Sequence, residues 1–163
     1  MLIKYRLETM PATVLLQDIV DALEMQFDEV PSFLDLETGH VVSISTDLLR
    51  SVEDPDDEEP DVLEEEDEEW KIAKRIVSSD RVRRLPSNFD VHEWKIMEDF
   101  SYSVRSDKMR GELLNAISGS GAFRFFKDTL RRHKMEPAWY AFRTEALRQI
   151  AIDWCEEHDI KWR

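Results

Sequence analysis

The chain of 163 residues is 42% hydrophobic, with eight Phe and five Trp, and carries a net charge of −14. That length fits one domain able to bury roughly two-thirds of its unfolded surface. No apolar run approaches the roughly 20 residues of a membrane span, and a lone cysteine, Cys155, excludes an internal disulfide.

The N-terminal MLIKYRLETMP has no apolar h-region, so the expectation is a cytoplasmic protein without a secretory signal; Met10 is a second candidate start beside Met1. The charge is uneven. Residues 1–70 hold 22 acidic and 3 basic residues, net −19, and residues 71–163 hold 14 acidic and 19 basic, net +5. Such asymmetry points to an interaction role.

Residues 13–26 predict an amphipathic helix, with Val14, Leu15, Ile19, Ala22 and Leu23 at helical spacing and Thr13 as N-cap. Residues 31–45, PSFLDLETGHVVSIS, predict a β-hairpin turning at Thr38-Gly39, where glycine supplies a positive φ. Residues 53–69 hold 13 carboxylates and no base. Self-repulsion and the prolines predict a flexible acidic linker that leads into a helix through Trp70, Ile72, Ala73, Ile76 and Val77.

RVRRLP at 81–86 predicts a short strand ended by Pro86. Beyond it the pattern is helical. Residues 89–104 place Phe89, Trp94, Met97, Phe100 and Val104 on one face, and 107–117 place Met109, Leu113, Leu114 and Ile117. Residues 121–134 place Phe123, Phe126 and Leu130, and 137–157 place Trp139, Phe142, Ala146, Ile150 and Trp154, with Pro137 in the first turn. The expected class is α+β: a small N-terminal β-hairpin element and a mainly helical body of about four to six helices. The expected organisation is residues 1–52, the linker 53–69 and the body 70–163, together one globular domain.

The most distinctive stretch is SGSGAFRFFKDTLRRH, Ser118 to His133. Gly119 suits a helix C-cap and Ser120 the following N-cap. The same free N–H groups at a helix start also suit an anion. Neither the P-loop pattern nor the G-x-S-x-G elbow is present. On the outer side, Arg124, Lys127, Arg131 and Arg132 form a basic face, with Asp128 spaced to bridge Arg124 and Arg132. The candidate anion- or partner-binding residues are therefore Gly119, Ser120, Gly121, Arg124, Lys127, Asp128, Arg131 and Arg132. Arg81, Arg83 and Arg84 extend the patch if they lie nearby. Tyr140 of PAWYAF is the expected exposed aromatic, and Trp139 and Phe142 belong to the core.

No catalytic residue is identified. The histidines His40, His92, His133 and His158 form no H-E-x-x-H, and Cys155-x-x-His158 offers too few ligands for zinc. No metal or cofactor is expected, and Cys155, among apolar neighbours, reads as an inert thiol.

The segments LDLETG (34–39), GSGAFRFFKD (119–128), WYAF (139–142) and IAIDWCEEHDI (150–160) resemble those of uncharacterised protein family 0158, over about residues 11–160. The most specific part is Gly119, Gly121, Ala122, Phe123, Arg124, Phe126, Lys127 and Asp128. The resemblance implies a small bacterial cytoplasmic protein of unknown function and carries over no catalytic residue. Cys155 stands where the resemblance leads one to expect leucine.

Three functional readings follow. The first is a non-enzymatic interaction module, with the basic face binding a protein or nucleic acid and the acidic segment competing for it. The second is a ligand-binding protein or enzyme that holds a phosphate or carboxylate at the Ser118–Gly121 loop, Arg124 and Lys127 clamping and Asp128 orienting Arg124. The third is nucleic-acid mimicry by the acidic run, which needs an ordered carboxylate array.

Overall fold

The first helix begins later than the sequence suggests, because residues 13–15 are needed elsewhere. A computed structural model describes residues 12–54 and 67–163. In it Val14 pairs in parallel with Trp162: Val14 N–H donates to Lys161 O (3.2 Å) and Arg163 N–H to Val14 O (3.0 Å). Extended backbone there removes Thr13 as a cap. Helix α1, Leu16–Glu24, starts after Leu15 with no side-chain cap. Its buried residues Leu16, Ile19, Val20 and Leu23 fall at i, i+3, i+4 and i+7, and that stripe packs on the long last helix. Leu15 is exposed, against expectation.

The hairpin forms as predicted. Strand β1, Ser32–Asp35, pairs antiparallel with β2, Val41–Ser43, and Gly39 turns between them at φ +76°. A third strand, β3, Val82–Arg84, joins the other edge of β1, giving the order β2-β1-β3. The strand beyond the acidic run thus completes the N-terminal sheet.

Two helices frame that run. Helix α2, Thr46–Glu53, was not expected; it has no buried residue and is capped by Ser45 Oγ, which accepts from Leu48 N–H. Helix α3, Glu68–Ser78, begins at an Asp67 cap, buries Trp70 and Ala73, and packs against α2. Arg75 of α3 donates to both carboxylate oxygens of Asp35 (2.7 and 3.1 Å) and to Glu37 (2.5 Å), tying the helix to β1. The predicted linker falls mostly on residues 55–66, which lie outside the described residues.

The body consists of α4 (Asn88–Val91), α5 (Glu93–Ser103), α6 (Asp107–Ala116), α7 (Ala122–Arg132) and α8 (Glu136–Glu157). The 22-residue α8 packs against α1, α5 and α7. Because it is covered on several sides, its buried residues Trp139, Leu147, Ala151, Trp154 and Cys155 do not form the single predicted stripe. The aromatic centre is edge-to-face: Phe126 to Trp139 at 4.9 Å and Phe100 to Trp139 at 5.4 Å. The class is α+β with a mostly helical body, as expected. Among the described residues no helix is long and apolar enough to cross a membrane.

Candidate functional site

Glycines set the entry to α7, in a different way from that predicted. Helix α6 ends at Ile117 in right-handed geometry, and Ser118 Oγ donates to Asn115 O (2.7 Å). The left-handed residue is Gly121 (φ +74°), not Gly119, and Gly121 rather than Ser120 is the N-cap of α7. A β-carbon on Gly121 would sit 3.1 Å from the Phe125 ring; one on Gly119 would meet nothing within 4 Å. Glycine at 121 is therefore favoured by its dihedral angle, and any β-carbon there would require the Phe125 ring to shift. No side chain caps α7.

Helix α7 buries Phe126, Thr129 and Leu130. Phe123 lies on the same stripe but is 52% exposed. The charge pairing also differs from the expected i±4 bridges. Asp128 pairs with Arg131 (3.1 Å), which also approaches Glu136 (3.8 Å), and Arg132 pairs with Glu112 (3.3 Å). Arg124 lies over the Phe125 ring at 5.0 Å. Among the described residues Arg124 and Lys127 make no ion pair. Two of the four cations of the predicted basic face are thus neutralised within the fold.

The candidate residues divide between the flanks of α7. Ser118, Gly119, Ser120, Asp128 and Arg132 line a cleft of about 590 Å³ toward α6, with Glu112 across it. Lys127 and Phe123 line a second cleft, of about 680 Å³, bounded by the α4–α5 junction, α7 and α8. Its floor is the buried Leu23, Val91, Met97, Phe126 and Trp139. Its rim is aromatic and open: Phe89 is 84% exposed, Trp94 45% and Tyr140 55%. The exposure of Tyr140 was expected; Phe89 and Trp94 were expected in the core. The chain bends at His92, whose φ of +50° separates α4 from α5 and swings Phe89 out of the predicted helical face. Lys134 and Asp159 share that left-handed geometry, but each ends a helix in the ordinary way, with the next N–H reaching back five residues (2.8 Å).

Fixed contacts hold this cleft. Arg143 of α8 donates to Glu93 of α5 through Nε (2.5 Å) and Nη2 (3.3 Å). Trp94 Nε1–H donates to Ile117 O (3.0 Å), joining the cleft to the end of α6. Ser87 and Asp90 form a capping box that starts α4, and Asn88 donates to Asp28 (3.0 Å).

The remaining candidates sit apart from this surface. Arg84 belongs to the sheet and shares a cleft of about 560 Å³ with Asp153 and Glu157 of α8. Cys155 is fully buried, and that burial pushes its thiol up to about 11. His158 Nδ1 lies 2.8 Å from Trp154 O, with its ring 4.7 Å from the indole. Glu112 pairs with His133 (2.6 Å), and that hydrogen bond holds its carboxyl below the usual range. Among the described residues no group of three or more His, Cys, Asp or Glu is arranged to hold a metal ion.

Residues 9–163 match the profile of the family described as uncharacterised protein family (UPF0158). UPF0158 protein PA5073 of Pseudomonas aeruginosa is 28% identical over 152 residues, covering 93% of this chain and 86% of that protein. No solved structure matches the chain.

Proposed function

The chain belongs to the uncharacterised protein family UPF0158, and we propose that it is a non-enzymatic interaction module that docks an acidic protein partner on the outer face of α7. The observation that carries this reading is that Arg124 and Lys127, beside the half-exposed Phe123 and Phe125, make no ion pair among the described residues. These cations lie among apolar rings, in the part of the chain, residues 71–163, that carries a net +5.

A protein partner is favoured over nucleic acid. Affinity for a phosphate backbone grows with the number of phosphates neutralised, and Arg131 and Arg132 are already engaged. An anion at the Ser118–Gly121 loop has the uncapped start of α7 in its favour. Against it, the carboxylates of Asp128 and Glu112 line the same cleft.

The acidic run 53–69 has the charge to compete for the α7 face, and it regulates the module in this reading. The test is fluorescence anisotropy of a labelled acidic peptide and of a single-stranded DNA oligonucleotide at moderate salt. The peptide is expected to bind, and to bind tighter when residues 55–66 are replaced by a Gly-Ser linker. DNA binding without peptide binding would overturn the reading, and unchanged affinity after the replacement would remove the regulatory role.

A further inference from the structure

We propose that the aromatic cleft is the anchor pocket of this docking surface, and that its occupant is a short acidic segment of a partner protein that inserts an aromatic side chain. The inference rests on the docking reading above and adds the chemistry of the partner.

Size and lining come first. A cleft of about 680 Å³ lies within the range of roughly 300–1,000 Å³ typical of ligand pockets. Its floor is closed by the buried Phe126 and Trp139, packed edge-to-face with each other at 4.9 Å. Phe123, Tyr140 and Trp94 surround the mouth. An incoming ring is met by the exposed Phe89, Trp94, Phe123 and Tyr140, and aromatic contacts of this kind contribute beyond their buried area. Phe89, Trp94, Phe123 and Tyr140 expose apolar rings to water around one cleft, and grouped exposed apolar side chains mark interaction sites.

Charge selects the flank. The cleft is lined by one carboxylate, Glu93, and Arg143 already holds it. Lys127 at the rim makes no ion pair among the described residues. A carboxylate next to the inserted ring therefore meets Lys127, and the one acid that lines the cleft among the described residues, Glu93, is paired with Arg143. The cationic strip continues along α7 through Arg124, beyond the mouth of the cleft. One small aromatic acid cannot use both places; a peptide chain can.

Preorganisation favours the same conclusion. The Arg143–Glu93 pair, the Trp94–Ile117 hydrogen bond and the capping box at Ser87 fix three walls before any partner arrives. Little ordering is then required on binding.

The experiment titrates the full chain with two labelled peptides, one acidic with a central Trp, the other identical but with Ala in its place. Wild type is expected to bind the Trp peptide roughly tenfold tighter. Phe123→Ala and Tyr140→Ala, both at exposed positions, are expected to close that gap and leave affinity for the Ala peptide unchanged. Circular dichroism confirms the fold, and Phe89→Ala serves as a third rim variant should Phe123→Ala unfold. Equal affinity for the two peptides in wild type overturns the anchor pocket and leaves docking on α7 standing. A gap that persists in the rim variants also overturns it. Binding of neither peptide overturns the docking reading itself.

Discussion

Arg143 and Glu93 face each other across fifty residues of chain and close one wall of the aromatic cleft with hydrogen bonds of 2.5 and 3.3 Å. The pair is mostly withdrawn from water, so each charge depends on the other. Arg143→Ala is expected to destabilise the fold by about 1–3 kcal/mol, because it leaves a carboxylate without its partner. Adding Glu93→Ala to that variant is expected to recover part of the loss. Urea denaturation of the two single variants and the double variant measures the coupling, and strict additivity would show that the pair is not coupled.

The two glycines flanking Ser120 should behave oppositely. Gly121→Ala forces an L-residue to φ +74° and brings a methyl group to 3.1 Å from Phe125, so a cost of roughly 1–2 kcal/mol is expected. Gly119→Ala meets open space at ordinary dihedral angles and is expected to stay within about 0.5 kcal/mol of wild type. Thermal unfolding of both variants checks the contrast.

Acid should unfold the protein through its paired carboxylates. The Arg75 hydrogen bond holds Asp35 below its ordinary 3.8, and the His133 hydrogen bond holds Glu112 below its ordinary 4.5. A carboxyl lowered in the folded state stabilises fully above its unfolded value, and that contribution is lost as pH falls through the folded one. Stability is therefore expected to be level above about pH 5 and to decline below about pH 4. Asp35→Asn is expected to lower the plateau and flatten the decline. Denaturant midpoints across this range, in both proteins, are the measurement.

Cys155 should be silent in the native state. It is fully buried, and its thiol, pushed up to about 11, is almost wholly protonated near neutrality. Reaction with a thiol-specific disulfide reagent is expected to follow the rate of global unfolding, with no native burst. A fast stoichiometric reaction at pH 8 would contradict the burial.

Local order was legible wherever one side of an element decides it. The hairpin at Gly39, the stripe of α1 and the acidic start of α3 followed from spacing, turn chemistry and helix polarity. Pairings between distant segments were not. Nothing local says that Val82–Arg84 will lie beside β1, or that Val14 will meet Trp162 and deny Thr13 its cap. Helix α2 escaped notice because it buries no residue. Periodicity also reports which face a residue occupies, not where its neighbours stop. Phe123 sits on the correct stripe but is half-exposed and lines a cleft. Phe89 left its stripe because His92 bends the chain, and a histidine in that conformation carries no sequence signature. Of the cleft, Phe123, Lys127 and Tyr140 were in view from the sequence; Phe89, Trp94 and the Glu93–Arg143 wall required the fold.

The most direct test of the account compares an acidic peptide's affinity for wild type and for the Arg124→Glu, Lys127→Glu double variant, by anisotropy at two salt concentrations. Both positions are exposed and unpaired among the described residues, so the fold is expected to survive, as circular dichroism can verify. The account predicts salt-sensitive binding by wild type and at least a tenfold loss in the variant, about 1.4 kcal/mol. Equal affinity for the two proteins would contradict it, because the outer face of α7 would then not be the docking surface.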